Sequence, residues 1–442
     1  MKSSHSGLTE GEHLRNFIRW LEANGATFPA MQIQTIDGMR GVRVKNTVQA
    51  GELVLHLPKQ LILTLESAQA SSLGVRMKTS GTRFTRMAFF AAFLINDLRT
   101  GGFWSPYIEM LPPEIFTMHA YCPNKIVARL KGTAIDPTGA AQRVTSNGIL
   151  GKEMLSDYLA VKPLLGRLGL REFSRIWSAV ATRAFVVKVD GVDTQAIVPL
   201  ADMLNHSQTP NVAWSVNVTD GYRFVAIDPI GRAGELTDNY GPRSNGELFR
   251  QYGFCLENNP WNRVAIEVPD VAITHPAYSF TRTFGEQKGN WRRFFVTADS
   301  TDKSAAALLT YLRVICETDS AALRHHLSAL SHERLLAVSH ETERAAMDEL
   351  ARACKRAMAR YGKLVEGDEL LLSNSDLPWI ERCAAFVGVG ERRIIERYAN
   401  LAASAFATVH SSQREAAYQQ ATIAHRGAIG VASDKFSNVQ AD

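Results

Sequence analysis

The sequence predicts an α+β fold: small β-sheets split by a helical insertion, followed by an all-α carboxy-terminal domain. Three observations carry this expectation. Period-two alternation runs from Gly38 to Leu57 and returns between Val212 and Ala226; residues from about Ser67 to Trp177 carry mainly helical spacing; and beyond Pro260 the composition shifts to alanine, leucine, arginine and glutamate. At 442 residues the chain exceeds the usual single domain, so two or three domains are expected.

Leu14, Phe17, Ile18 and Leu21 recur at helical spacing and place a first helix over His13 to Leu21, with Gly25 as its stop. Gly38 to Val44 then alternates, Ala50-Gly51 makes a turn, and Leu53, Leu55 and Leu57 alternate up to Pro58, which reads as one small antiparallel sheet. Met87 to Leu98 is apolar on most faces and reads as a buried helix, and Phe173, Ile176, Trp177 and Val180 mark an amphipathic one. Further on, Val212, Trp214, Val216 and Val218 face Tyr222, Phe224 and Ala226 across an Asp220-Gly221 hairpin turn. Ala233-Gly234-Glu235-Leu236 repeats Ala50-Gly51-Glu52-Leu53, and both are expected to open strands. Helical faces such as Leu308, Leu309, Leu312, Ile315 and Ile394, Ile395, Tyr398, Leu401 predict a bundle from about Asp302 to Val409, and the small polar tail is expected to fray.

Composition narrows the function classes. A 45% hydrophobic and 21% charged chain with 49 basic and 44 acidic residues carries only +5, too mild to argue for nucleic acid. Five scattered cysteines form no C-x-x-C pair and read as reduced thiols, with neither a disulfide framework nor a zinc site. The first sixteen residues lack a signal-peptide core, and Met87 to Ile95 is too short an apolar run to span a bilayer. A cytoplasmic protein is expected, with the nucleus left open.

Two stretches resist a purely structural reading. Pro199 to His206, P-L-A-D-M-L-N-H, follows the apolar run Ala196 to Val198 and then ends in Asp202, Asn205 and His206. A turn after a strand would explain it, since Asn and Asp favour turns. Downstream, Asp238-Asn239-Tyr240-Gly241-Pro242-Arg243-Ser244-Asn245 sets one tyrosine among turn formers, and that tyrosine reads as displayed. The pair, N-H followed by N-Y-G-P-R-S-N-x-E-L, resembles the closing half of a SET domain, the protein methyltransferase fold that uses S-adenosyl-L-methionine. Its closest likeness is the branch of the Rubisco large-subunit lysine methyltransferase and the actin-histidine methyltransferase. Leu248 to Phe254 matches the branch's L-x-x-x-Y-G-F, and Trp104-Ser105-Pro106-Tyr107 with Leu111-Pro112-Pro113 resembles its W-x-P-Y…L-P element. That last element reads as packing, without chemistry.

The resemblance implies a division into residues 1–75 (helix and first part of the SET domain), 76–180 (helical insertion), 181–260 (closing part) and 261–442 (helical substrate-binding domain). It implies that the Gly38, Met39 and Arg40 segment gives backbone groups to the donor, although Arg40 is bulkier than the aromatic or glycine often found there. Arg183, otherwise a solvated helix-end arginine, would support the donor site. Asp202 would orient the turn, Asn205 and His206 would sit beneath the donor, and Tyr240 would be the catalytic hydroxyl. Phe185, Ala201 and Arg243 fall on the acceptor side. The lysine enzymes resemble this sequence at Phe185 and Ala201, where the histidine-methylating relative has asparagine and tryptophan. The expected protein is a monomeric lysine methyltransferase acting on a non-histone protein, without metal, nucleic acid or membrane. A histidine methyltransferase and a non-catalytic SET-like module are the alternatives.

Overall fold

The computed structural model describes residues 9–36, 39–139, 143–189, 192–217, 220–299, 302–319, 321, 323, 339–361, 367–372, 374 and 376–409. Gly38, Val218 and the polar tail from residue 410 lie outside the described residues. The chain divides into two compact units: Met1–Pro123 with Ala140–Pro242 and Arg250–Gly253, and Asn124–Gly139 with Arg243–Phe249 and Phe254–Asp442.

In the first unit the opening helix is longer than its apolar spacing suggests, Glu10–Ala23, because Thr9 and Glu12 form a capping box. Its apolar face buries Phe17 and Leu21. Strand Met39–Val44 follows, but it does not pair with Leu53–Leu57 as expected. It pairs on one side with Met31–Ile36 and on the other with Glu235–Asp238, while Leu53–Leu57 joins the hairpin Val212–Asn217 and Gly221–Ala226. Alternation shows that a segment is a strand; its partner is set by non-local packing, which the pattern does not contain. The Asp220-Gly221 turn also differs, since Asn217 stands opposite Gly221 and three residues intervene.

The insertion is helical as expected, with Arg86–Arg99 burying Ala88 to Ala92, Leu94 and Ile95, and Leu170–Arg183 burying Phe173, Ile176 and Trp177. It also holds a small sheet of Tyr121–Pro123, Gly148–Leu150 and Arg143–Val144 that alternation did not reveal. Both Ala-Gly-Glu-Leu repeats do lead into strands, Leu53–Leu57 and Glu235–Asp238.

The second unit is largely helical, as expected, but not all-α. Arg263–Pro269, Trp291–Thr297 and Glu286–Lys288 form an antiparallel sheet whose inner face, Val264, Ile266, Val268, Phe294 and Val296, is buried with Leu308, Leu312, Leu350 and Ile394 of the helices. Its three longest helices among the described residues are Lys303–Cys316, capped by Asp302, His340–Met358 and Trp379–Val409. This unit also takes in segment 124–139: Lys125 pairs with Glu381 at 2.6 Å, and the Ala134 N–H donates to the buried Glu391 carboxylate at 3.0 Å. Tyr361 donates its hydroxyl to the same carboxylate at 2.6 Å. All five cysteines are free thiols. Among the described residues no helix is long and apolar enough to cross a membrane.

Candidate active site

The polar break in P-L-A-D-M-L-N-H has a backbone cause. Leu200 adopts φ 70°, a left-handed conformation costly for a leucine, and its side chain is fully buried, which holds the turn in place. The chain then makes a 3-10 turn, Ala201–Met203, and enters a two-residue strand, Asn205–His206. That strand runs parallel to the N-Y segment, with Asn205 opposite Thr237 and His206 opposite Asp238. The two motifs lie side by side despite the thirty-odd residues that separate them.

Hydrogen bonds fix the contact. The Tyr240 backbone N–H donates to His206 Nδ1 at 3.0 Å, so Nδ1 is an acceptor and a neutral imidazole carries its hydrogen on Nε2. The Tyr240 hydroxyl donates to the Leu204 carbonyl at 2.7 Å. Its ring is set between His206 and Tyr252, with centroids 5.2 and 4.9 Å away. The expectation of a displayed tyrosine is therefore corrected: the turn formers around it create a half-buried socket. Asn239 accepts the Gly241 N–H at 2.6 Å, and Gly241 takes φ 98°, which favours glycine there. Burial pushes the Tyr240 hydroxyl well above its ordinary value, so it stays a neutral phenol.

The amide of Asn205 reaches the opening strand, donating to the Arg40 carbonyl at 3.3 Å and to the Glu235 carboxylate at 2.7 Å. Gly41 lies against this junction, and a Cβ there would come within 2.6 Å of Glu235 Oε1 and 2.9 Å of Asn205 Nδ2. The bulk of Arg40 is accommodated because its side chain turns away, donating to the Met110 carbonyl at 2.5 Å and to Glu10 at 3.2 Å. The backbone of Met39 lies in the same strand.

Arg183, at the end of its helix, donates to the Asp202 carbonyl at 2.6 Å and is not a solvated residue. The Asp202 carboxylate is buried and accepts the Tyr107 hydroxyl at 2.7 Å. Burial raises the Asp202 pKa, opposed by the Arg183 charge and by the Tyr107 hydrogen bond. Arg183 Nε and Asp202 Oδ1 have no hydrogen-bond partner among the described residues. Tyr107, read from sequence as packing, thus touches the site; the W-x-P-Y element carried the signal. Glu235 and Tyr252 were also missed, each lying in a motif that had been read only as a strand start or a closing segment.

Of the residues expected on the acceptor side, Phe185 is half-buried in edge contact with Trp214 at 6.0 Å and Tyr222 at 6.5 Å, and Ala201 is buried. Arg243 belongs to the second unit, where its carbonyl accepts from Asn259 at 2.9 Å.

Comparison with known proteins identifies the family. Residues 39–241 match the SET domain family, and residues 280–395 match the Rubisco LSMT substrate-binding family. The chain is similar to the actin-histidine N-methyltransferase of Mus musculus, 26% identical over 422 residues that cover 89% of this chain and 68% of that protein. The Homo sapiens protein of the same name is 26% identical over 417 residues, with the same coverage of 89% and 68%. Among solved structures, the SET domain of LSMT bound to lysine and AdoHcy superposes with a TM-score of 0.69 at 18% identity, covering 98% of this chain and 99% of that one. Rubisco LSMT bound to AdoMet gives a TM-score of 0.67 at 19% identity, covering 90% and 93%. The chain therefore belongs to the SET-domain methyltransferases, in the branch of the Rubisco LSMT and actin-histidine enzymes.

Proposed function

We propose that this protein is an S-adenosylmethionine-dependent lysine N-methyltransferase acting on a non-histone protein. The observation that carries the proposal is the hydrogen-bonded seat of Tyr240, whose N–H meets His206 and whose hydroxyl meets the Leu204 carbonyl. S-adenosylmethionine, when bound, supplies a methyl group on a positively charged sulfur. The backbone of Gly38, Met39 and Arg40, with Asn205, His206, Arg183 and Asp202, would hold it. This set fits such a ligand: the unpartnered Arg183 Nε and Asp202 Oδ1 suit one that carries both a carboxylate and an ammonium.

The acceptor nitrogen must be neutral. Lysine, with a reference pKa near 10.4, spends about 4 kcal/mol to lose its proton at pH 7.4, and an apolar wall lowers that cost by desolvating the ammonium. Phe185 supplies such a wall, and with Ala201 it offers no hydrogen-bonding side-chain atom. The second nitrogen of a buried imidazole left unpaired there would cost about 1–3 kcal/mol. Tyr240, already donating its hydrogen to Leu204, keeps its oxygen lone pairs for the incoming N–H groups. Arg243 is assigned to the protein substrate.

A histidine acceptor is the second reading, favoured by the actin-histidine N-methyltransferases to which the chain is similar. Incubation of a cell extract with labelled S-adenosylmethionine, followed by mass spectrometry of the labelled band, separates the two. Methyl-lysine is expected, and it should vanish with Tyr240→Phe. Methyl groups on histidine with lysines untouched would overturn the lysine assignment.

A further inference from the structure

The helix Ser105–Met110 touches both halves of the site. From its middle Tyr107 donates to the Asp202 carboxylate at 2.7 Å; at its carboxy-terminal end the Met110 carbonyl accepts from Arg40 at 2.5 Å. The carbonyl of Arg40 accepts in turn from Asn205, three residues beyond Asp202. These contacts close a ring that runs from the helix to the opening strand, across to the N-H segment and back to the helix. Arg175 fixes the helix from outside, donating to the carbonyls of Leu111 at 2.7 Å and Pro112 at 3.0 Å. Tyr107 is 1% exposed, and its ring packs between Phe17 at 6.3 Å and Trp104 at 6.4 Å, so the hydroxyl has little freedom to move.

We infer that Tyr107 is a positioning residue for the donor site, and that its hydroxyl sets the Asp202 turn so that Asn205 meets Arg40. The inference rests on the donor reading of that site. The physical argument is asymmetry of cost. A buried carboxylate keeps its charge only while donors face it, and one oxygen of Asp202 already lacks a partner among the described residues. Removing the Tyr107 hydroxyl takes the hydrogen-bond donor from the other oxygen. The carboxylate must then shift toward another donor, carrying the turn and Asn205 with it. A packing role would need only the ring, which phenylalanine retains.

Calorimetric binding of S-adenosylmethionine to the full chain tests this, using Tyr107→Phe, Asp202→Asn, their combination and Tyr158→Phe. Tyr158 is the control, because it too is buried in the first unit and donates to a backbone carbonyl, that of Leu168 at 3.1 Å. Tyr107→Phe is expected to weaken binding about tenfold, the scale of one hydrogen bond to a charged group. In the Asp202→Asn background the same change should cost less than about threefold, since the charge it serves is gone. Tyr158→Phe should leave affinity unchanged while lowering the melting temperature. Equal weakening by Tyr158→Phe, or additive effects in the double variant, would overturn the inference. Failure of the unmodified protein to bind would sink the donor reading, and the inference with it.

Discussion

Glu391 is buried, and burial pushes its carboxyl from the ordinary 4.5 up to about 7, opposed by the Tyr361 hydroxyl, the Ala134 N–H and the Arg360 charge. The folded state therefore keeps a proton that the unfolded chain releases between pH 4.5 and 7. The sign follows: over that window the unfolded state binds fewer protons, so stability falls as pH rises, then levels off above about 7. At 1.36 kcal/mol per unit the displacement is worth about 3 kcal/mol. Glu391→Gln retains a carbonyl oxygen to accept from Ala134 and Tyr361 but cannot ionise. Urea denaturation of both proteins at pH 5, 6, 7 and 8 isolates the effect, because the other titrating groups cancel in the difference. The variant should gain about 2.5 kcal/mol on the unmodified protein between pH 5 and pH 8, because part of the displacement already lies below pH 5. A difference that changes by less than about 0.5 kcal/mol over this range would refute the reasoning.

Tyr240→Phe should lower turnover at least about a hundredfold and leave S-adenosylmethionine affinity within about threefold, as measured by a labelled-methyl assay and calorimetry; near-normal turnover would remove the hydroxyl from the mechanism. Gly41→Ala places a Cβ 2.6 Å from Glu235 Oε1 and should separate Glu235 from Asn205. A loss of about 1–3 kcal/mol in stability, with weaker donor binding, is expected; an unchanged melting temperature and affinity would show that the junction yields freely.

Some of this protein was readable before any coordinates. The period of Met87 to Leu98, the start of the carboxy-terminal helices near Asp302 and the strand starts at both Ala-Gly-Glu-Leu repeats depend on local chemistry, and local chemistry is written in order along the chain. The N-H and N-Y motifs were visible for a different reason, since polar residues stood where packing needs apolar ones. What stayed hidden was non-local. Nothing near residue 40 says that its strand pairs with residues 235–238 rather than with 53–57. The sheet around Trp291 was lost inside a composition that reads as helix. Tyr107 was hidden more subtly, because an aromatic ring in a Trp-Pro-Tyr cluster is expected to pack, and it does pack; only the position of Asp202 shows that its hydroxyl also makes a buried hydrogen bond.

Segment 124–139 has a consequence for biosynthesis. Ala134 and the carboxylate that receives its N–H are 257 residues apart. At roughly 5–20 residues per second, a ribosome needs about 10–50 s to make Glu391 after it has made Ala134. Throughout that interval the helix Asn124–Leu130, whose Ile126 and Leu130 are fully buried in the finished protein, lacks the helix Trp379–Val409 against which it packs. Nascent chains stalled between these points should therefore recruit chaperones, and slowed translation of the region 254–391 should lower the soluble yield even though it alters no residue.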